Sequence, residues 1–184
     1  MIHIPSRLEE RLKKVFPRAK DREDFVKDAV TQALEGIERT GMDTLPQAVG
    51  GTLHLFTDGG SRGNPGESAI GCVLVDPLTG KVLKEHSETI GVQTNNVAEY
   101  RALIAGLTLA KNFRPNRLVC HLDSELIVKQ LSGAYRVKMQ TLQPLLEEIQ
   151  ELQQEFGEVS FSHIPRGENK RADRLVNEAL DGLR

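Results

Sequence analysis

The sequence contains no tryptophan and only two cysteines, and aromatic residues make up 4% of its 184 residues. Cys72 and Cys120 each lie inside an apolar, strand-like run, which indicates small buried side chains and not a disulfide framework. No apolar run approaches the roughly 18 residues that a membrane-spanning helix needs. The first residues also lack the basic and then apolar pattern of an export signal, so we expect a cytoplasmic protein with no membrane partner.

An excess of positive charge is absent as well. The chain has 24 Lys and Arg residues against 26 Asp and Glu residues, for a net charge of -2. Positions 1–50 hold nine basic and nine acidic residues. A protein with this balance does not coat nucleic acid through bulk charge, so any phosphate contacts must come from locally placed Lys and Arg or from polar groups.

The sequence pattern of residues 1–40 predicts a short extended segment followed by two helices. Ser6 and Glu9 form a capping-box pattern before the first helix, and Asp21 can cap the second. The pattern resembles the ribbon-helix-helix family, a dimeric fold that often binds DNA through its paired strands. Here the strand is only Ile2 to Ile4, and we expect this module to dimerise or to dock onto the rest of the chain.

Residues 41–51, with Pro46 and paired glycines, predict a linker, and residues 52–184 predict an α/β domain. The hydrophobic periods place strands at 52–57, 69–76, 82–90, 117–122 and 159–164, and helices at 97–113, 124–131, 142–156 and 169–183. We expect a five-stranded mixed sheet flanked by helices. Its first three strands are antiparallel, and the fourth and fifth run parallel to the first.

Four carboxylates fall where this sheet would bring them together. Asp58 ends the strand TLHLFT and Asp123 ends the strand RLVCHL, so a helical crossover between them puts both at one sheet edge. Glu99 shares a helix face with small residues, which predicts that it points inward. Asp173 stands near the start of the last helix, where an acid interacting with the helix dipole is the ordinary explanation for one such residue alone.

Four carboxylates at one partly buried edge repel one another unless a cation neutralises them. Oxygen ligands without His or Cys favour a hard cation, Mg²⁺ or Mn²⁺. Two such ions roughly 4 Å apart are suited to phosphodiester hydrolysis. The composition of the predicted site therefore indicates metal-dependent phosphoryl chemistry.

These motifs, TLHLFTDGGSRGNPG, TNNVAEYRALIAGL, RLVCHLDS and PRGENKRADRLVNEAL, occur in the order that the type 1 ribonuclease H family shows, and residues 52–184 resemble that family. The resemblance implies a hydrolase that cuts the RNA strand of RNA/DNA hybrids and leaves 5′-phosphate and 3′-hydroxyl ends. It further implies that Asp58 bridges two metal ions, that Glu99 and Asp123 hold the ion beside the leaving group, and that Asp173 holds the ion bearing the nucleophilic water.

Candidate substrate-binding groups lie in the loops beside these acids. The glycine-rich stretch after Asp58 lets backbone approach a sugar-phosphate chain, although a Gly-Asn-Pro-Gly run is also an ordinary turn. One residue is enough to cap the next helix, which leaves amides for the 2′-hydroxyl that distinguishes RNA from DNA. The candidates are Gly59, Ser61, Asn64, Asn95, Asn96 and Ser124, the last of which is also a helix cap.

Two departures from the family pattern affect these expectations. The basic protrusion of long family members is missing, because GAYRVKMQ leads straight into the next helix. We therefore expect either a weaker grip on the substrate or a grip supplied by Arg136, Lys138 and residues 1–40. The loop IPRGENKRAD has no histidine of its own, and His163 alternates with apolar strand residues and is expected to be packed. We therefore favour Arg166 as the auxiliary group on the phosphate side.

Two other functions stay open at this point. A non-catalytic regulator that binds hybrids or DNA keeps the fold but does not need the complete set of four acids. A nuclease of the same fold acting on double-stranded RNA or on junctions keeps the metals, because a reader of 2′-hydroxyl groups tolerates several A-like duplexes. A homodimer through the N-terminal module is a further expectation.

Overall fold

The computed structural model describes residues 51–182, together with 13–15, 18–20, 22 and 26–27 of the N-terminal part. The chain divides into two units, Met1–Leu45 and Pro46–Arg184. The predicted ribbon Ile2–Ile4, most of the two predicted N-terminal helices and most of the 41–51 linker lie outside the described residues. The division at 40 and 51 and the ribbon-helix-helix interpretation therefore stay predictions.

The second unit alternates strands and helices from Thr52 onward. Its strands are β1 (Thr52–Gly63), β2 (Gly66–Val75), β3 (Val82–Gln93), β4 (Arg117–Leu122) and β5 (Glu158–His163). Its α-helices are α1 (Asn95–Lys111), α2 (Glu125–Leu131), α3 (Gln143–Gln153) and α4 (Lys170–Asp181), with short 3₁₀ turns at Gln140–Leu142 and Arg166–Glu168. Every predicted strand and helix of the 52–184 domain is present, with ends shifted by a few residues.

The sheet has the order β3-β2-β1-β4-β5. The pairs β1/β2 and β2/β3 are antiparallel, whereas β1/β4 and β4/β5 are parallel. The predicted mixed sheet is thus confirmed. In the β1/β4 register Thr57 pairs with Leu122, so Asp58 and Asp123 each follow the last paired residue of their strand.

The glycine-rich stretch differs from its prediction. It was expected to leave the strand after Thr57, but β1 continues to Gly63 and pairs with β2 as far as Gly66, so only Asn64 and Pro65 form the turn. Pairing with β2 supplies hydrogen bonds to this backbone, which compensates for the weak strand preference of glycine. Asp58 therefore lies in the middle of a long hairpin strand.

Both faces of the sheet are covered by helices. The larger core joins the sheet to α1, α2 and α3 and contains fully buried side chains such as Leu55, Tyr100, Leu103 and Ile149. On the other face α4 packs Ala172, Leu175, Val176 and Leu180 against β1 and β2. Cys72 and Cys120 are buried free thiols, as predicted.

Within the described ranges, no helix combines the length and the apolar character that crossing a membrane requires.

Candidate active site

Asp58 is a buried carboxylate, with only 7% of its surface exposed. It stands opposite Gly71 of β2, one residue beyond the last β1 residue that pairs with β4. Pairing with β2 and the paired residue Thr57 directly before it hold its backbone, so its carboxylate has little freedom to move away from its neighbours.

Glu99 approaches Asp58 from the first turns of α1 and is 5% exposed. Thr94 caps this helix, because its hydroxyl accepts from the Val97 N–H at 3.4 Å. The helix can come this close only because residue 59 is glycine: an added Cβ there would lie 2.2 Å from the Ala98 carbonyl carbon and 2.3 Å from the Glu99 nitrogen. The prediction that Glu99 points inward is confirmed.

Asp123 completes a three-carboxylate group. It follows β4, and one carboxylate oxygen from each of Asp58, Glu99 and Asp123 lies within 4.8 Å of the other two. Parallel pairing of β1 and β4 produces this convergence, as the sequence predicted.

Asp173 faces the same cleft from the first turn of α4 but is engaged by other protein groups. The Arg166 guanidinium donates to one carboxylate oxygen at 2.6 Å, and the Asn177 amide donates to the other at 3.1 Å. Together, the four acids and Arg166 lie among the residues that line a polar cleft of about 290 Å³.

Burial and mutual repulsion disfavour the charged forms of two of these acids. Desolvation, reinforced by Asp123 and Asp173, raises the pKa of Asp58 to about 6. Desolvation, reinforced by Asp58 and Asp123, raises the pKa of Glu99 well above its usual value. The Gly59 N–H and the Arg166 cation act in the opposite direction on both.

A divalent cation fits this arrangement. The donor set is entirely carboxylate oxygen, and Glu99 Oε2 is buried with no hydrogen-bond partner among the described residues. An unpaired buried carboxylate oxygen is costly unless a cation or water satisfies it. Asp58, Glu99 and Asp123 are therefore able to hold a hard divalent metal ion.

The predicted substrate-binding residues divide between this cleft and its surroundings. Gly59, Ser61 and Asn95 line the cleft. The Ser61 hydroxyl already donates to the carbonyls of Gly66 and Gln93, and the side-chain oxygen of Asn64 accepts from the Asn95 N–H at 3.2 Å.

Asn96 and Ser124 lie away from the cleft lining. Asn96 faces a neighbouring groove of about 460 Å³, which Tyr135, Arg136 and Lys138 also line. Ser124 occupies the cap position of α2, but its hydroxyl makes no capping hydrogen bond.

His163 is not packed, and this prediction was wrong. It is the last residue of the edge strand β5, and its side chain is exposed. Arg166, by contrast, reaches the carboxylates as its place in the short loop suggested. Sequence reasoning missed Asn177, for which the only signal is its position one helical turn after Asp173, and it missed Arg62, which also lines the cleft.

Comparisons with known proteins agree with this geometry. The family model described as reverse transcriptase-like matches residues 56–179. Ribonuclease HI of Halobacterium salinarum is 46% identical over 132 residues, which cover 72% of this chain and 66% of that protein. The bifunctional protein Rv2228c of Mycobacterium tuberculosis is 44% identical over 127 residues, which cover 69% of this chain and 35% of that protein.

Solved structures extend the likeness to three dimensions. LC11-RNase H1, isolated from compost and crystallised in complex with an RNA/DNA hybrid, superposes with a TM-score of 0.68 at 44% identity. The match covers 71% of this chain and 98% of that one. The five-stranded mixed sheet, the converging carboxylates and the similarity to these relatives show that the chain belongs to the ribonuclease H family.

Proposed function

We propose that this protein is an endonuclease that hydrolyses the RNA strand of RNA/DNA hybrids, leaving 5′-phosphate and 3′-hydroxyl ends. The observation that carries the proposal is the convergence of Asp58, Glu99 and Asp123 oxygens within 4.8 Å, beside Asp173 and Arg166. The relatives named ribonuclease H and the hybrid bound by LC11-RNase H1 support the choice of substrate.

Two Mg²⁺ or Mn²⁺ ions are the proposed cofactors. Asp58, Glu99 and Asp123 would hold one ion, and Asp58 with Asp173 would hold the second. When bound, these ions supply Lewis acidity for activating water and for stabilising the leaving 3′ oxygen. In this structure Asp173 binds the Arg166 guanidinium through one oxygen, so a metal ion there would compete with Arg166 for the carboxylate.

Arg166 is the proposed auxiliary group. Its side chain is 78% exposed, so it can leave Asp173 at low cost and turn toward a phosphate in the cleft. A guanidinium there offsets negative charge that develops on the phosphate oxygens. Arg166 lines the cleft and His163 is not among the described lining residues, which favours Arg166 for this role.

The two sides of the α1 N-terminus suit the two strands of a hybrid. Gly59, Ser61 and Asn95 lie on the carboxylate side, where the RNA strand would be cut. Asn96, Arg136 and Lys138 lie in the neighbouring groove, next to Tyr135, over whose ring the Lys129 ammonium sits 5.1 Å from the centroid. Cations beside an exposed aromatic ring are suited to a sugar-phosphate strand.

Asn64 would act on the substrate through Asn95, because its side-chain oxygen accepts from the Asn95 N–H. Ser124, at the cap position of α2, is the proposed contact to the DNA strand. Recognition of 2′-hydroxyl groups by the amides of Asn95 and Asn96 would make the enzyme read the type of strand and not its sequence. Double-stranded RNA is the second candidate substrate for the same reason. Homodimerisation through residues 1–40 and a cytoplasmic location stay predictions.

Cleavage of end-labelled duplexes tests the proposal. RNA/DNA hybrid, double-stranded RNA and double-stranded DNA are each incubated with Mg²⁺, Mn²⁺ or a chelator. We expect metal-dependent cutting of the hybrid's RNA strand, and we expect Asp58→Asn and Asp123→Asn to abolish it without loss of fold. Asp76→Asn is the matched control, because Asp76 lies in the exposed β2–β3 turn and an asparagine oxygen can still accept the Leu78 N–H.

Two results would redirect the proposal. Preferential cutting of double-stranded RNA would change the substrate but not the chemistry. Binding of hybrid without cleavage under any metal condition would favour the non-catalytic regulator.

A further inference from the structure

Asn169 is a buried polar residue outside the four-carboxylate set. It is 1% exposed, and its side-chain amide donates to the backbone carbonyl of Thr57 at 2.8 Å. The two residues are 112 positions apart in the chain. This hydrogen bond therefore joins two elements that are distant in sequence.

The bond links the backbone segments that carry two of the acids. Thr57 directly precedes Asp58 and is the last β1 residue paired with β4. Asn169 occupies the cap position of α4, where its own carbonyl accepts from the Asp173 N–H at 3.1 Å. A single side chain thus connects the strand that presents Asp58 to the helical turn that presents Asp173.

Close packing also restricts α4, since an added Cβ at Gly71 would lie 2.6 Å from the Ala172 carbonyl oxygen. Ala172, Val176 and Leu180 pack on β1 and β2 through apolar contacts, which are non-directional. The hydrogen bond from Arg62 to the Leu180 carbonyl is only partly buried, and the contact of Arg171 with Glu85 is exposed. Among the described contacts, the Asn169 bond is the buried and directional one.

The side-chain oxygen of Asn169 is buried without a hydrogen-bond partner in the described part of the chain. A buried amide oxygen without a hydrogen-bond partner lowers the free energy of unfolding. Stability alone therefore does not explain an asparagine at this position. A requirement for the position of α4 explains why the amide is there.

We infer that Asn169 is a positioning residue that sets Asp173 against Asp58 and thereby forms the second metal-binding position. The inference rests on the proposed function for its catalytic consequence, but the metal-binding consequence is independent of substrate. Asn169 is not among the described residues that line the carboxylate cleft. It acts through the first turn of α4.

The test compares Asn169→Ala with Leu175→Ala, a control that weakens the packing of α4 but leaves the Thr57 bond intact. Mn²⁺ binding is measured by calorimetry without substrate, and kcat, KM and thermal stability are measured alongside. We expect Asn169→Ala to lose the weaker of two Mn²⁺ binding events and to lower kcat at least tenfold with KM within twofold. Leu175→Ala should lower Tm at least as far while keeping both binding events and kcat.

A purely structural role predicts the opposite pattern. If Asn169→Ala lowers Tm but retains both binding events and kcat, the inference is overturned. A different result would separate the two proposals. If wild type binds two Mn²⁺ ions but does not cut hybrids, and Asn169→Ala binds only one, the proposed function is refuted and the positioning role is supported.

A measurement on the wild-type protein covers the case in which Asn169→Ala does not fold. The side-chain amide protons of Asn169 should exchange with solvent at least 100-fold more slowly than those of the exposed Asn112. Equal exchange rates would show that the bond to Thr57 is not maintained in solution and would overturn the inference.

Discussion

Asp58 and Glu99 are the two acids of the site whose ionised forms the surrounding protein destabilises. Both are almost fully buried, Asp123 raises the pKa of both, and the Arg166 cation only partly offsets the repulsion. A metal ion in this position relieves both the desolvation and the repulsion. The metal-free protein should therefore show the cost of these charges in its stability.

The pH dependence of stability follows from the pKa of Asp58, which is about 6 in the folded state against 3.8 ordinarily. Because its pKa is higher in the folded state, the Asp58 carboxyl binds its proton more tightly there than in the unfolded state. Its contribution to the free energy of unfolding is therefore fully present below pH 3.8 and is lost as pH rises through 6. At pH 7.5 the cost is about 3 kcal/mol. We expect Asp58→Asn to be more stable than wild type by up to that amount in chelator at pH 7.5, and by much less at pH 4.5.

Chemical denaturation of both proteins at the two pH values measures this difference. Adding Mg²⁺ at pH 7.5 should reduce the stability difference between the two proteins, because only wild type carries the Asp58 charge that the ion neutralises. A stability difference that does not change with pH would contradict the buried, repelled state of Asp58.

Arg166 gives a prediction with a close control in the chain. Arg166→Gln removes a cation from the cleft and should lower kcat on hybrid by roughly 10- to 100-fold, since it removes charge stabilisation at the reacting phosphate. Its effect on stability should stay within about 1 kcal/mol, because the ion pair with Asp173 is exposed. Arg171→Gln breaks another exposed ion pair, with Glu85 and away from the cleft, so its kcat should equal that of wild type.

The contact between β1 and α1 depends on residue 59. Gly59→Ala places a methyl group within 2.4 Å of three backbone atoms of Ala98 and Glu99, and backbone cannot yield as a flexible side chain does. We expect a loss of about 3 kcal/mol or more in stability, together with weaker Mn²⁺ binding because Glu99 is displaced from Asp58.

Gly167→Ala is the matched control for that variant. Gly167 lies in the loop before α4 and has no neighbouring atom within 4 Å of an added Cβ. Its Tm and Mn²⁺ affinity should match those of wild type. Wild-type behaviour of Gly59→Ala would mean that α1 does not approach β1 as closely as described.

Periodicity and the motif order predicted each strand and helix of residues 52–182 because the alternation of buried and exposed positions is a local property. Asp58 and Asp123 could be predicted because each directly follows an apolar run that is visible in the sequence, and Glu99 because it shares a helix face with small residues. The continuation of β1 through the glycine-rich residues after Asp58 was missed, because it depends on pairing with β2. Asn169 was missed because a capping asparagine is common, whereas its partner Thr57 is distant in the chain.

At the level of the whole chain, the described cores consist only of residues from 53 onward. LC11-RNase H1 matches 71% of this chain over 98% of its own length, so a ribonuclease H domain exists without the N-terminal segment. We expect removal of residues 1–50 to leave kcat on hybrid within about twofold and to change mainly KM, if the segment contributes affinity or assembly.

Steady-state kinetics and sedimentation of the full chain and of residues 51–184 measure these effects. If the shortened protein is folded but turns over hybrid at least 100-fold more slowly than the full chain, the N-terminal part belongs to the catalytic machinery. A change from dimer to monomer would support the predicted ribbon-helix-helix module.

The strand order β3-β2-β1-β4-β5 has a consequence for how the protein folds and unfolds. The antiparallel β1-β2-β3 meander forms from neighbouring segments, but α4 must return to β1 across more than 100 residues, and closing long loops is slow. Asp58 and Glu99 should therefore meet early in refolding, with Asp173 arriving last. Conversely, a brief detachment of α4 would open the site while the sheet stays intact, so activity should disappear before the fold does as denaturant rises.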